Sequence, residues 1–312
     1  MKEAEKLGFK VDYVCDAPSN SNVSKALGRI NKKFIYKSTI NYFNKTVVPL
    51  IKNNDYDVVL LVAGMTFSFT KSMVKEIKSN QKKAYFVMYQ WDSEKNLPYV
   101  MDIHQYFDDL YTFDRYDSLK NECYKFLPLF YNSVYEQVGK NYSDNFIYDC
   151  MYIGTAHPQK FYDINRMGAM LKEKMPNQFI YHYMPSKLKF CYQKVTSKLF
   201  RKVKLSDCKF DKISSSDMMS YFTKSKCILD APQAGQTGLT IRTIECLGAK
   251  KKLITTNEDI KNYDFYNEKN ILIFSDNINF NSPFFTEEYE NIPLNTYMKY
   301  SLHNCLITLI GR

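Results

Sequence analysis

The stretch "QAGQTGLTIRTIECLGAKKKLITTN", residues 233–257, decides how the carboxyl-terminal half of this chain is read. It joins a turn-rich loop to a short amphipathic run and then to a β-branched strand. Just upstream, "KCILD" (226–230) is an apolar strand ending in Asp230, and the loop 231–239 carries Pro232, Gly235 and Gly238. The spacing predicts a helix from about Thr240 to Leu247, with Ile241, Ile244 and Leu247 as its buried stripe and Gly248 as its stop. A loop that runs from a strand into a helix start presents backbone N–H groups and the positive end of a helix dipole at a sheet edge, which suits a phosphate or diphosphate. Gly238 lets a ligand approach the backbone closely. Arg242 and Glu245 lie three residues apart and share a face, so the carboxylate can accept from a ribose diol while the guanidinium neutralises phosphate. Spacing alone reads them equally well as an ordinary ion pair on the helix surface.

Outward from this block, short apolar strands alternate with helical stretches, the pattern of an α/β protein with parallel sheets. One series is "VDYVCDA" (11–17), "YDVVLLVAG" (56–64), "KAYFVMYQW" (83–91) and "DLYTF" (109–113). A second is "YDCMYIG" (148–154), "QFIYHYM" (178–184), 226–230, "KKLITT" (251–256) and "NILIFS" (270–275). The polar, turn-rich segment 127–146 between them reads as a linker, giving domains at 1–140 and 147–312, with the last helix packing back on the first. "KEAEKLGF" (2–9) reads as the end of a helix closed by Gly8. A doubly wound domain opens with a strand ahead of that helix, so the expectation is a first domain that lacks its first strand and the ligand loop after it.

With 312 residues, 45% of them hydrophobic, the chain can bury a core in each of two domains. No apolar run of membrane-spanning length occurs, and the charged start "MKEAEKLGFK" is not a secretion signal, so a cytoplasmic protein is expected. The eight cysteines are widely spaced, without Cys-x-x-Cys pairs or a metal-ligand pattern, and read as reduced core residues. The formal charge of +10 points to an anionic partner. The 26 Tyr and 22 Phe are scattered through the strand and helix patterns, which argues for core packing rather than a base-stacking platform, and no nucleic-acid-binding motif accompanies the charge. Residues 187–204 carry seven Lys or Arg among Leu188, Phe190, Val195, Leu199 and Phe200. This stretch reads either as a solvated helix face or as a segment that lies on an anionic membrane.

The block 236–257, followed by "YDFYNEKNILI" (263–273), resembles the donor domain of GT-B glycosyltransferases, specifically the bacterial capsule and lipopolysaccharide group related to CgeB-like proteins. "YQWDSEKN" (89–96), "YTFDRYDS" (111–118), "LPLFY" (127–131) and "YIGTAHPQK" (152–160) look like landmarks of that group in the same order. The resemblance implies two Rossmann-like domains facing across a cleft, a nucleotide-diphosphate sugar as co-substrate held by the second domain, and a surface-polysaccharide or lipid-linked oligosaccharide acceptor at the first.

It also implies roles. Glu245 stands where the family's ribose-binding glutamate would be. Thr237, with Gln236 beside it, occupies the place of a second glutamate that many relatives carry, so neutral side chains would contact the sugar. Gly154, Gln236, Thr237, Gly238, Leu239, Thr240 and Arg242 are the further donor-binding candidates. Lys160 would be a point charge on the diphosphate and His157 a donor or proton shuttle, against the alternatives of a surface lysine and a loop-capping histidine.

Asp92, at the end of a strand, is the candidate general base for the acceptor, but it is equally a natural helix cap. Asp114 reads as a cap and Arg115 as a phosphate or acceptor contact. His104, His182 and His303 fall in helix or strand segments and read as structural. No Asp-x-Asp motif stands at a strand end, so no metal or other cofactor is expected, the leaving diphosphate being met by helix dipole and basic side chains. Two other functions fit the same layout, a nucleotide-sugar epimerase and a non-catalytic nucleotide-sugar or polysaccharide-binding module.

Overall fold

The computed structural model describes residues 1–18, 32–64, 67–142, 145–232 and 237–311. They fall into two compact units, Met1–Leu129 with Leu302–Arg312, and Phe130–Ser301.

Unit 1 contains α1 (Lys2–Lys6), α2 (Tyr36–Tyr42), α3 (Val48–Asn53), β1 (Val58–Ala63), α4 (Lys71–Asn80), β2 (Tyr85–Gln90), β3 (Asp109–Thr112), α5 (Arg115–Lys120) and β4 (Tyr124–Phe126). The four strands are parallel and lie in chain order, β1-β2-β3-β4. A parallel sheet is covered on both faces by its crossovers, so a central strand must be apolar on both sides, and β2 (YFVMYQ) is buried along nearly its whole length. Phe43, Val47 and Ile51 pack with Ala63, Met88 and Leu110 in one apolar cluster.

The segment 11–17 is not the strand its alternating pattern suggests. Its polar groups go to isolated partners instead of a ladder: the Asp16 carbonyl accepts from Ser68 N and Oγ at 3.1 and 2.7 Å, and Asp12 accepts from the Tyr56 hydroxyl at 2.7 Å. The alternation reports only that Val14 packs against the core.

Unit 2 contains α6 (Ser133–Lys140), β5 (Tyr148–Thr155), α7 (Pro158–Leu171), β6 (Gln178–Tyr183), α8 (Lys187–Thr196), α9 (Ser215–Thr223), β7 (Ser225–Asp230), α10 (Ile241–Gly248), β8 (Lys252–Thr255), β9 (Ile271–Ile273), α11 (Pro283–Thr286) and α12 (Leu294–Lys299). Its five parallel strands are ordered β6-β5-β7-β8-β9. The chain leaves β5 through α7 to one side, returns as β7 on the other, and continues outward through α10. The winding therefore reverses between β5 and β7, the doubly wound Rossmann-like pattern.

The segment 127–146 is not a linker. Asn132 caps α6, its side chain accepting from Val134 N at 3.0 Å, and α6 packs on α10 within unit 2, so the units divide at Leu129 rather than in 140–147. Gly139 allows that crossing, since a Cβ there would lie 2.5 Å from the Gly248 carbonyl oxygen, and Gly248 makes room for the residue ahead of α6, since a Cβ there would lie 2.5 Å from Tyr131 Cγ. Gly248 is thus the last helical residue and a packing position, not the stop. The left-handed turn falls two residues later, on Lys250 at φ 52°.

The last helix, α13 (Leu302–Ile310), belongs to unit 1, where it packs on α1, β1 and β2. All eight cysteines are free thiols. Five are buried, but Cys123 and Cys191 are exposed and so are not core residues, as the composition suggested. No helix among the described residues is long and apolar enough to cross a membrane.

Candidate functional site

The reversal in unit 2 is built around Asp230, which ends β7 with 1% of its surface exposed. A carboxylate so buried needs partners, and it takes them from two helix starts. Lys160, in the first turn of α7, brings its Nζ to 3.1 Å from Oδ1. Thr240, the N-cap of α10, donates its hydroxyl to Oδ2, and Thr243 Oγ1 lies 3.5 Å from the same atom. Thr240 Oγ1 also accepts from Thr243 N at 3.3 Å, closing the cap. One carboxylate at the end of β7 thereby fixes the N-termini of α7 and α10 on either side of the reversal.

The other donor-site candidates surround this knot unevenly. Gly154 lies near the end of β5, where an added Cβ would come within 2.4 Å of the Tyr152 hydroxyl, so a larger residue there would force the Tyr152 ring to shift. His157 is the N-cap residue of α7 and is partly buried, but its side chain makes no capping hydrogen bond. Thr237 is exposed, and its carbonyl accepts from Asn257 Nδ2 at 3.2 Å; Gly238 and Leu239 are buried. Gln236 and Gly235 lie outside the described residues.

Arg242 and Glu245 do meet, Nη1 and Oε2 being 2.9 Å apart, but the pair is not an exposed surface one: the side chains are only 17% and 15% exposed. They face α6 and α9. Arg242 Cζ lies 5.4 Å from the Phe222 ring centroid, and its Nη2 is 3.9 Å from Met218 Sδ. Neither Nη1 nor Oε2 has an aligned hydrogen bond among the described residues, so the short approach is electrostatic attraction between imperfectly directed groups. Burial raises the Glu245 carboxyl pKa, opposed by the Arg242 charge and by a hydrogen bond from Tyr135. Burial works against the Arg242 charge, and the nearby Glu245, Tyr135, Cys246 and Asp230 together more than offset it, leaving the pKa raised.

In unit 1, Asp92 follows β2 and spends Oδ1 on its own turn, accepting from Ser93 N at 2.9 Å and Asn96 Nδ2 at 2.8 Å. Asp114 is the buried N-cap of α5, accepting from Tyr116 N at 3.0 Å and from Ser93 Oγ at 2.6 Å. Asp117 accepts from Glu94 N at 2.7 Å, and burial raises its carboxyl pKa. Arg115 is the first residue of α5 and partly buried. The structure thus brings Lys160 and Thr240 together at one atom cluster and Arg242 and Glu245 at another face of α10, while Asp92 sits in a turn cap. Sequence reasoning missed Asp230 as the organiser; its signal was an acidic residue closing a strand directly before a glycine-bearing loop.

No protein-family model matches this chain, and no curated protein matches it significantly. Among solved structures, an alpha-glucosyltransferase in complex with UDP and a 13-mer DNA aligns at 13% identity and a TM-score of 0.46, over 73% of this chain and 64% of that one. Anabaena Alr3699/HepE in complex with UDP and glucose aligns at 11% identity and 0.45, over 72% and 69%. The Glycosylation Associate Protein (Gap123) complex from Streptococcus agalactiae aligns at 12% and 0.40, over 90% and 54%. The chain spans less than two thirds of the first and third of these.

Proposed function

We propose that this protein transfers a sugar from a nucleotide-diphosphate donor, and that the diphosphate binds at the reversal between β5 and β7. The observation that carries the reading is the junction of Lys160 and Thr240, from two helix starts, on Asp230 at that reversal. Open α/β sheets take ligands outside the carboxyl ends of their strands where the winding changes direction. Here the same place offers the positive ends of two helices and a lysine already held in position, a set suited to a dianion.

In the transfer, the acceptor hydroxyl oxygen bonds to the anomeric carbon while the bond from that carbon to the diphosphate oxygen breaks. The electron pair leaves with the diphosphate, and the acceptor proton passes to a base. Lys160 and the two helix ends stabilise the departing charge, so the reading includes no obligatory divalent cation. From the family resemblance we assign ribose binding to Glu245, whose carboxylate Arg242 approaches at 2.9 Å, and sugar contacts to Thr237 and to Gln236, which lies outside the described residues. The acceptor we propose is a surface-polysaccharide or lipid-linked oligosaccharide.

Thermal-shift titration of UDP, GDP, CMP and TDP against the intact chain tests the site. We expect saturable binding of one nucleotide, weakened at least about tenfold, or about 1.4 kcal/mol, in Lys160→Met and in Glu245→Gln. A folded wild type that binds none of the four overturns the reading, and conversion of a nucleotide sugar to an isomer without acceptor would make the protein an epimerase.

A further inference from the structure

Helix α8 carries two apolar faces. Phe190 and Gln193 point inward, and Phe190 joins Phe200, Val203, Met184 and Cys208 in a buried cluster. On the opposite side Leu188, Tyr192 and Val195, spaced i, i+4, i+7, stand 81%, 59% and 79% exposed, and Leu199 continues the line just beyond the helix. Exposed aliphatic and aromatic side chains in single file are unusual on a helix that already has a buried face.

The charge around them has one sign. Residues 187–206 contain seven Lys or Arg and no Asp or Glu. On the helix, Lys187 and Lys194 flank the stripe on one side and Lys189 on the other, the Lys189 ammonium lying 5.1 Å over the Tyr192 ring. Exposed Lys198, Arg201, Lys202 and Lys204 extend the patch.

We infer that this face of α8 is a docking surface for an anionic lipid bilayer, with Leu188, Tyr192 and Val195 entering the headgroup boundary and the flanking lysines and arginine pairing with lipid phosphates. A second copy of the chain does not fit, because a two-fold contact would set the two all-basic patches against each other. A nucleic-acid backbone would satisfy the charge but leave Leu188 and Val195 in water, whereas a bilayer interface takes both features together. The inference stands apart from the nucleotide-sugar reading, and its test is run without nucleotide.

The test is sedimentation of the intact chain with phosphatidylcholine vesicles and with vesicles that also contain phosphatidylglycerol. We expect binding to the anionic vesicles only, reduced at least about tenfold by Leu188→Ser with Val195→Ser, and similarly by Lys198→Glu with Arg201→Glu and Lys202→Glu. All the replaced side chains are exposed, so melting temperatures should not move, and a melt of each variant checks this. No vesicle binding, equal binding to both vesicle types, or anionic binding unchanged by the serine pair overturns the proposal. Salt-sensitive retention on DNA in place of vesicle binding overturns it as well.

Discussion

His182 illustrates how a single buried group ties stability to pH. It lies in β6, 4% exposed, with its ring 4.2 Å from the Phe161 ring and 5.2 Å from that of Tyr152. Asn165 Nδ2 is 3.1 Å from Nε2; with the amide donating, the ring proton sits on Nδ1, which has no partner among the described residues. Burial pulls the His182 pKa down from 6.5 to about 4. Below pH 6.5 the unfolded chain takes up a proton that the folded chain refuses until about 4, so this contribution is complete above 6.5 and is lost as pH falls through that window, up to about 3 kcal/mol. Urea unfolding midpoints between neutral pH and pH 4.5 should therefore fall more steeply for the wild type than for His182→Phe, and parallel curves would remove His182 from the account. Among the candidate site residues, Thr240 was legible from its place at a helix start, whereas Lys160 was singled out only by the family resemblance. Their shared partner was not legible, because Lys160 and Asp230 are far apart in sequence and only the sheet order brings them together. Arg242 and Glu245 were legible as a pair, but their burial depends on α6 and α9, which no spacing within α10 encodes.

At the scale of elements, the eight strands β1–β3 and β5–β9 were legible because each carries a short, mostly apolar stretch set between helical or turn segments. The three-residue β4 was too short to show a period, and 11–17 showed a period without a ladder. Helix α6 was hidden by the polar, turn-rich composition of 127–146, within which Gly139 serves as the contact that lets α6 lie against α10. The packing at Gly248 predicts a specific sensitivity. In Gly248→Ala the new methyl would fall 2.5 Å from Tyr131 Cγ and 2.6 Å from its Cβ, atoms near the backbone that cannot swing aside. The expected loss is about 1–3 kcal/mol in chemical unfolding. A loss near zero would mean that the segment at Tyr131 can move off Gly248 without cost.

For the whole molecule, composition announced two α/β bodies, and both sheets are parallel as the alternation required. The position of the division was less legible, since polar turn residues occur within unit 2 as well as at its boundary. Unit 1 depends on a distant piece of chain: Cys305 and Leu309 of α13 are each 2% exposed, and His303 lies 3.6 Å from Glu3. Leu309→Ala should cost about 2–5 kcal/mol, and hydrogen exchange should place the loss in β1 and β2 while β5 and β7 keep their protection. Equal loosening of both sheets would contradict the division into two units.

The return of α13 also orders events during synthesis. Unit 2 is one continuous segment, complete once Ser301 has left the ribosome, whereas unit 1 begins to emerge first and lacks α13 until residues 302–310 follow. The nascent chain thus carries the uncovered apolar surface of the first sheet through the whole translation of the second, so of the two bodies unit 1 is the one exposed to chaperones and to aggregation when elongation stalls.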